Sequence, residues 1–176
     1  IVMPGGHLNM FCTRDFTPMD ERSSFGHELE IAYLLDEAAP LLDRDDDALT
    51  GQVIRRLVDH SLRWGWDVEN GGFYDEGPPT GQATRKHKVW WVQPEGLNGL
   101  LTASRLFPDV PRYFQRFAQT WAFFLDHLVD RRHGGCFGSV DPAGKPLQRQ
   151  KASPWKTAYH VTRALLHAIQ RLRPPG

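Results

Sequence analysis

Apolar residues recur at helical spacing in five separate stretches of this chain. From Phe25 the series Leu29, Ala32, Tyr33, Leu35, Ala39 and Leu42 marks one face of a first helix, with Ser23 or Ser24 placed to cap it. A second helix is expected over residues 47–64, with Leu49, Val53, Ile54, Leu57, Val58 and Leu62 on one face. The acidic run at 43–47 forms the turn before it and its cap. A third is expected over 88–107 through Trp91, Leu97, Leu100, Leu101 and Leu106. Pro94 is tolerated there only in the first turn, and Pro108 ends the helix. Pro111 opens a fourth, carrying Phe114, Phe117, Trp121, Phe124, Leu125 and Leu128. The fifth starts close to the turn at Pro154 and carries Val161, Ala164, Leu165, Ala168, Ile169 and Leu172. Pro174 and Pro175 then close the chain.

Between the helices lie long loops and little else. Residues 1–24 have no helical period and read as short extended pieces. Residues 67–84 and 130–151 are loops, each with a Gly-Gly pair followed by an aromatic residue (Gly71-Gly72-Phe73 and Gly134-Gly135-Cys136-Phe137) that suits a small hairpin. The spacing is regular. His27, Trp91 and Trp155, each at the opening of a helix, are 64 positions apart, and the two glycine hairpins are 63 apart. Each repeat is a helical hairpin plus a loop, which predicts a solenoid or a closed toroid of stacked hairpins. First, third and fifth helices form one layer, second and fourth the other. The N-terminal ends of the first layer meet on one rim.

Composition narrows the partners. The 176 residues suffice for one domain with a core, and Lys+Arg and Asp+Glu are both 21, so no net field draws in nucleic acid or an anionic membrane. No apolar run approaches the length of a membrane span. Cys12 and Cys136 are too few for a disulfide framework, which points to a reducing, cytoplasmic setting. Ile1 is not an initiator, so an upstream segment is expected.

The unusual polar residues gather on the expected rim. His27 and Glu30, three apart on one helix, are placed for Glu30 to hold one imidazole nitrogen and leave the other for chemistry. Trp90, Trp91, Gln93 and Glu95 supply indoles, an amide and a carboxylate. Trp155, Lys156 and His160 supply the third edge, with Arg163 three residues beyond. Two imidazoles with aromatic walls suit proton transfer on a neutral, hydroxylated substrate, since aromatic faces stack on sugar C–H faces. A metal is not expected, because no third ligand accompanies His27 and His160. His7, His60, His87, His127, His133 and His167 read as surface or loop residues.

Three segments carry a resemblance. Phe25-Gly26-His27-Glu28-Leu29-Glu30, Lys88-Val89-Trp90-Trp91-Val92-Gln93-Pro94-Glu95 and Pro154-Trp155-Lys156-Thr157-Ala158-Tyr159-His160-Val161-Thr162-Arg163 resemble the three C-terminal motifs of the N-acylglucosamine 2-epimerase superfamily, on its cellobiose 2-epimerase side. The resemblance implies an all-α (α/α)6 barrel with short β-hairpin loops, of which residues 1–176 are the C-terminal part of one catalytic domain. It implies cofactor-free epimerisation or isomerisation of a mono- or disaccharide aldose through a ring-opened cis-enediolate. By the resemblance, His160 and His27 are the acid–base pair at C2 and Glu30 is bonded to His27. Trp90, Trp91 and Trp155 line the sugar site, and Glu95 is a sugar-binding carboxylate. Five helices stand where the family has twelve, so a further His and Arg are expected from an N-terminal half. The chain alone is then expected to be inactive, or to act through a homodimer or with that missing half. Two other readings stay open. One is a glycoside hydrolase using Glu30 and Glu95. The other is a non-catalytic sugar-binding or interaction module.

Overall fold

Period and packing agree in the computed structural model, which describes residues 1–19, 22–43 and 47–173. In chain order, β1 (Ser23–Ser24) leads into α1 (Phe25–Leu41), and α2 (Ala48–Trp64) follows. Then come β2 (Glu76–Gly77), β3 (Lys88–Val89), α3 (Val92–Leu106) and α4 (Arg112–Phe123), which runs into a π-helical turn (Phe124–Leu128). β4 (Ser139–Val140), β5 (Pro146–Gln148) and α5 (Tyr159–Leu172) complete it. The expected proline pair at 174–175 and positions 44–46 of the acidic turn lie outside the described residues. Among the described residues, no helix is long and apolar enough to cross a membrane.

The two layers are those the spacing predicts. α1 and α5 both pack on α3, while α2 backs α1 and α4 backs α3. Residues 92–103 of α3 are buried on every side, as befits the central helix of the inner layer. Leu29, Ala32, Ile54, Leu57, Val58, Phe73, Leu97, Leu100 and Tyr113 form the core between the layers. Burying each such large side chain contributes about 1.5–3 kcal/mol.

Helix boundaries differ from expectation where distant contacts decide them. α2 begins one residue late, with the Asp47 carboxylate capping Leu49 N at 3.1 Å. α3 begins at Val92 rather than Lys88, because Lys88 and Val89 pair with Val140 and Ser139 of β4. α5 begins at Tyr159. Ahead of it, Ser153 Oγ accepts from Trp155 N at 3.3 Å and Lys156 N at 2.9 Å and closes a turn.

The repeat holds at the level of single hydrogen bonds. After α2, Trp66 bridges Phe73, Asp67 N donates to Gly72 O, and the Asp67 carboxylate caps Glu69 N and Asn70 N. Sixty-three positions on, Val129 bridges Cys136, Asp130 N donates to Gly135 O, and Asp130 caps Arg132 N and His133 N. Both turns use paired glycines at positive φ: 76° and 76° at Gly71 and Gly72, 73° and 64° at Gly134 and Gly135. Each aspartate also receives a lysine from the following strand region, Lys88 to Asp67 at 2.8 Å and Lys151 to Asp130 at 2.6 Å.

Each hairpin is tied to the head of an inner helix by an equivalent side chain. Glu28 accepts from Leu8 N at 3.2 Å. Gln93 accepts from Phe73 N at 2.8 Å and donates to Phe73 O at 2.7 Å. Lys156 donates to Cys136 O. Glu28 is fully buried, and this corrects the reading of His60 as a surface residue. The Glu28 carboxylate receives His60 Nδ1 at 2.9 Å and Ser61 Oγ at 2.6 Å, and His60 Nε2 donates to Pro79 O at 2.7 Å. A carboxylate sealed in the core needs these donors, so it draws the histidine in.

Candidate active site

The rim is built from the first turns of α1, α3 and α5. Ser24 holds the N-cap position of α1, yet its hydroxyl makes no cap bond. It lies 2.7 Å from His27 Nδ1 instead. That leaves His27 Nε2 for other work. Gly26, one residue earlier, lets the ring of Trp91 lie close against α1. The His27 and Trp91 ring centroids are 4.6 Å apart.

Trp91 also meets His160, at 5.4 Å between centroids. His160 Nδ1 donates to Oε1 of Glu95, a carboxylate with no exposed surface. With Nδ1 engaged in this bond, Nε2 is the nitrogen left to exchange a proton. Trp90 meets His160 edge-on at 5.4 Å, but its ring is buried among Phe123, Phe124, Leu128 and Val140. It is therefore a wall behind the imidazole.

Arg163, one turn along α5 from His160, joins the acidic residues. Its Nη2 donates to Glu95 Oε1 at 2.7 Å and to Glu30 Oε1 at 2.8 Å. The guanidinium carbon lies 4.0 Å from the Tyr159 ring centroid and 5.1 Å from that of Tyr33, and Nη1 donates to the Tyr159 hydroxyl. Burial works against the arginine's charge, but the bonds to Glu30 and Glu95 outweigh it and hold it firmly protonated. His27 behaves oppositely. Burial holds its pKa below the usual value, against the pull of the Glu30 charge, so it is neutral at pH 7.

The structure thus brings together His27, Glu30, Trp91, Glu95 and His160, with Trp90 behind them. It corrects three expectations. Glu30 bonds to Arg163, while His27 bonds to Ser24. Neighbours on one helix were outcompeted by a longer cationic side chain arriving from α5. Glu95 lies behind His160 rather than at the surface, fully enclosed. Trp155 falls in the Ser153 turn and is 89% exposed, so it does not join the cluster. Arg163 and Tyr33 are central here and were given no role from the sequence. The signal for Arg163 was its place three residues after His160 on one helical face.

Glu30, Glu95 and His160 bring ligand-type atoms within 4.8 Å of one another. Arg163 already donates into both carboxylates, so the positive charge that balances them comes from the chain itself.

The sequence profile of N-acylglucosamine 2-epimerases matches residues 4–164. A cellobiose 2-epimerase from Dictyoglomus turgidum is 28% identical over 171 residues, 94% of this chain and 42% of that protein. One from Bacteroides fragilis is 30% identical over 167 residues, 93% of this chain and 41% of that protein. The solved cellobiose 2-epimerase of Spirochaeta thermophila superposes with a TM-score of 0.84 at 35% identity, covering 97% of this chain and 42% of that one. The chain therefore spans about 42% of the length of such relatives and corresponds to part of their helical barrel.

Proposed function

The chain belongs to the N-acylglucosamine 2-epimerase family, and we propose that its rim serves a sugar 2-epimerase or aldose–ketose isomerase that moves a proton at C2 of a ring-opened aldose. One observation carries this reading. Two imidazoles pack against the same indole, Trp91, each with Nδ1 engaged and Nε2 left for a substrate.

An epimerase must remove the C2 proton from one face and return one to the other, which needs two opposed acid–base groups. His27, held neutral by burial, takes the proton. The electron pair moves into the C1–C2 bond and gives a cis-enediolate. His160 delivers a proton to the other face of C2, and Glu95 behind it steadies the imidazolium state from which it does so. The reverse reaction exchanges the roles. Return of the proton to C1 instead gives the ketose. Trp91 offers the face on which the open sugar stacks.

The enediolate oxygen needs a hydrogen-bond donor. Arg163 is engaged by Glu30 and Glu95, so this donor is expected from the further hairpins that the longer relatives possess. The complete unit on this reading is the chain plus those hairpins. A glycoside hydrolase is less well supported. It needs one carboxyl that carries a proton, and both Glu30 and Glu95 accept from one guanidinium.

The test is proton NMR in D₂O with cellobiose, mannose and N-acetylmannosamine. It is run on the chain alone and on the chain joined to the N-terminal hairpins of the Dictyoglomus turgidum relative. Loss of the C2–H signal, abolished by His160→Ala, supports the reading, and the product separates epimerase from isomerase. Sugar binding without C2 exchange in the completed protein would replace it with a non-catalytic binding role.

A further inference from the structure

Among the buried polar atoms beside this cluster with no hydrogen-bond partner, Arg163 Nε included, two are an acceptor and a hydroxyl that can answer each other. One is Glu95 Oε2, whose sister Oε1 receives both His160 and Arg163. The other is the hydroxyl of Tyr33, a fully buried side chain of α1. Buried polar groups are paired almost without exception, so an unpaired acceptor and an unpaired hydroxyl at one centre call for an explanation.

Both flank the same guanidinium. The carbon of Arg163 is 5.1 Å from the Tyr33 ring centroid, and its Nη2 is 2.7 Å from Glu95 Oε1. Burial, and then the negative charge of Glu95, push the ionisation of the Tyr33 hydroxyl far up. The hydroxyl is therefore a donor throughout the working pH range, and the nearby acceptor lacking a donor is Glu95 Oε2.

We infer that Tyr33 is a positioning residue whose hydroxyl donates to Glu95 Oε2 and completes the carboxylate that orients His160. With donors on both oxygens, Glu95 loses rotation about its terminal bond, and the imidazole plane is fixed against Trp91. Each donor also draws charge from the carboxylate, so Tyr33 tempers how strongly Glu95 holds a proton on His160. The titratable and charged groups around His160 are Glu95 from α3, His27, Glu30 and Tyr33 from α1, and Arg163 and Tyr159 from its own helix. Only the hydroxyl of Tyr33 is removed by the change below. The catalytic consequence rests on the acid–base reading above, whereas the hydrogen bond does not.

Tyr33→Phe deletes one oxygen and keeps the ring beneath Arg163. The His160 imidazole is followed by NMR titration, and C2 exchange is followed against pH. Losing a hydrogen bond to the carboxylate should raise the His160 midpoint by about half a unit. The acid limb of the exchange profile should move up with it, with kcat falling more than KM rises. A measurement on the unmodified chain stands beside the variant. The Tyr33 ring ¹³Cζ resonance should move on Glu95→Gln, which leaves the phenol a neutral acceptor. An unchanged His160 midpoint in Tyr33→Phe, or a ¹³Cζ resonance indifferent to Glu95→Gln, overturns the inference. If the midpoint moves but no sugar exchanges its C2 proton, the positioning bond stands and the acid–base reading fails.

Discussion

The ring of Trp91 occupies the space where a β-carbon on Gly26 would sit. A methyl there would lie 2.6 Å from Trp91 Cη2 and Cζ3 and 3.0 Å from Val92 Cγ2. Both imidazoles pack against Trp91, so this close approach bears on how they are placed. Gly26→Ala should push the indole away and destabilise the fold by about 1–3 kcal/mol through overpacking. The larger effect should be on chemistry, because a displacement of about 1 Å at the reacting centre can cost on the order of 10²-fold in rate. Thermal unfolding with C2-exchange kinetics on the completed protein checks this. Full exchange activity in the variant would contradict the role given to Trp91.

Lys88 and Lys151 occupy the same slot in successive repeats but in different surroundings. The Lys88 side chain is fully buried against Asp67, 2% exposed, and also donates to Gly71 O at 2.5 Å. Burial pulls its pKa down against the support of Asp67, while Lys88 overcomes burial at Asp67 and keeps that carboxyl ionised. Lys88→Met strands the Asp67 charge and should cost about 3–5 kcal/mol. Lys151 is 38% exposed, so Lys151→Met should cost markedly less, since water can replace the lysine beside Asp130. Urea denaturation of the two variants gives the comparison. Equal losses would mean that burial does not govern the pair.

His60 predicts how stability varies with pH. Burial opposes its charge, but the hydrogen bond and charge of Glu28, with the Pro79 carbonyl, outweigh that and raise its pKa above the usual 6.5. Both ring nitrogens face acceptors, so the folded state favours the imidazolium. A folded pKa above the unfolded one means the contribution is fully present below about pH 6.5. It is lost as pH rises through the raised folded value. Melting temperature should therefore fall as pH rises above about 6.5, and His60→Gln should flatten that slope. The groups facing His60 are Glu28 from α1, His7 from the N-terminal hairpin and Arg63 on its own helix. Its charge in turn lowers the pKa of His7, after burial. A slope unchanged in His60→Gln would assign the effect elsewhere.

The fold was legible where local pattern decided the outcome. α2 was readable within a residue because an aspartate cap and a one-sided apolar stripe coincide at Asp47 and Leu49. The repeat was readable because its glycine turns need positive φ and so mark themselves. The head of α3 was not, since Lys88 pairs with Val140, 52 residues away, and no local period registers that bond. The candidate site divides in the same way. His27, Trp91, Glu95 and His160 could be placed on a common rim from spacing alone. The wiring among them could not, because the bond from Arg163 to Glu30 spans 133 positions and competes with a neighbour on the same helix. Tyr33 was read only as a core position. Its hydroxyl becomes informative once Glu95 Oε2 is seen to lack a donor.

The three ties at the heads of the inner helices are an anion, a neutral amide and a cation doing one mechanical job: Glu28, Gln93 and Lys156. The repeats are thus alike in shape and unlike in charge. The anionic version brings its own counter-group from another helix, His60, and the cationic version rests on two carbonyls, those of Cys136 and Gln150. The modules are consequently not interchangeable parts. A hairpin transplanted from one position of the ring to another would have to travel with the groups that neutralise its tie, or leave a lone charge sealed inside the protein.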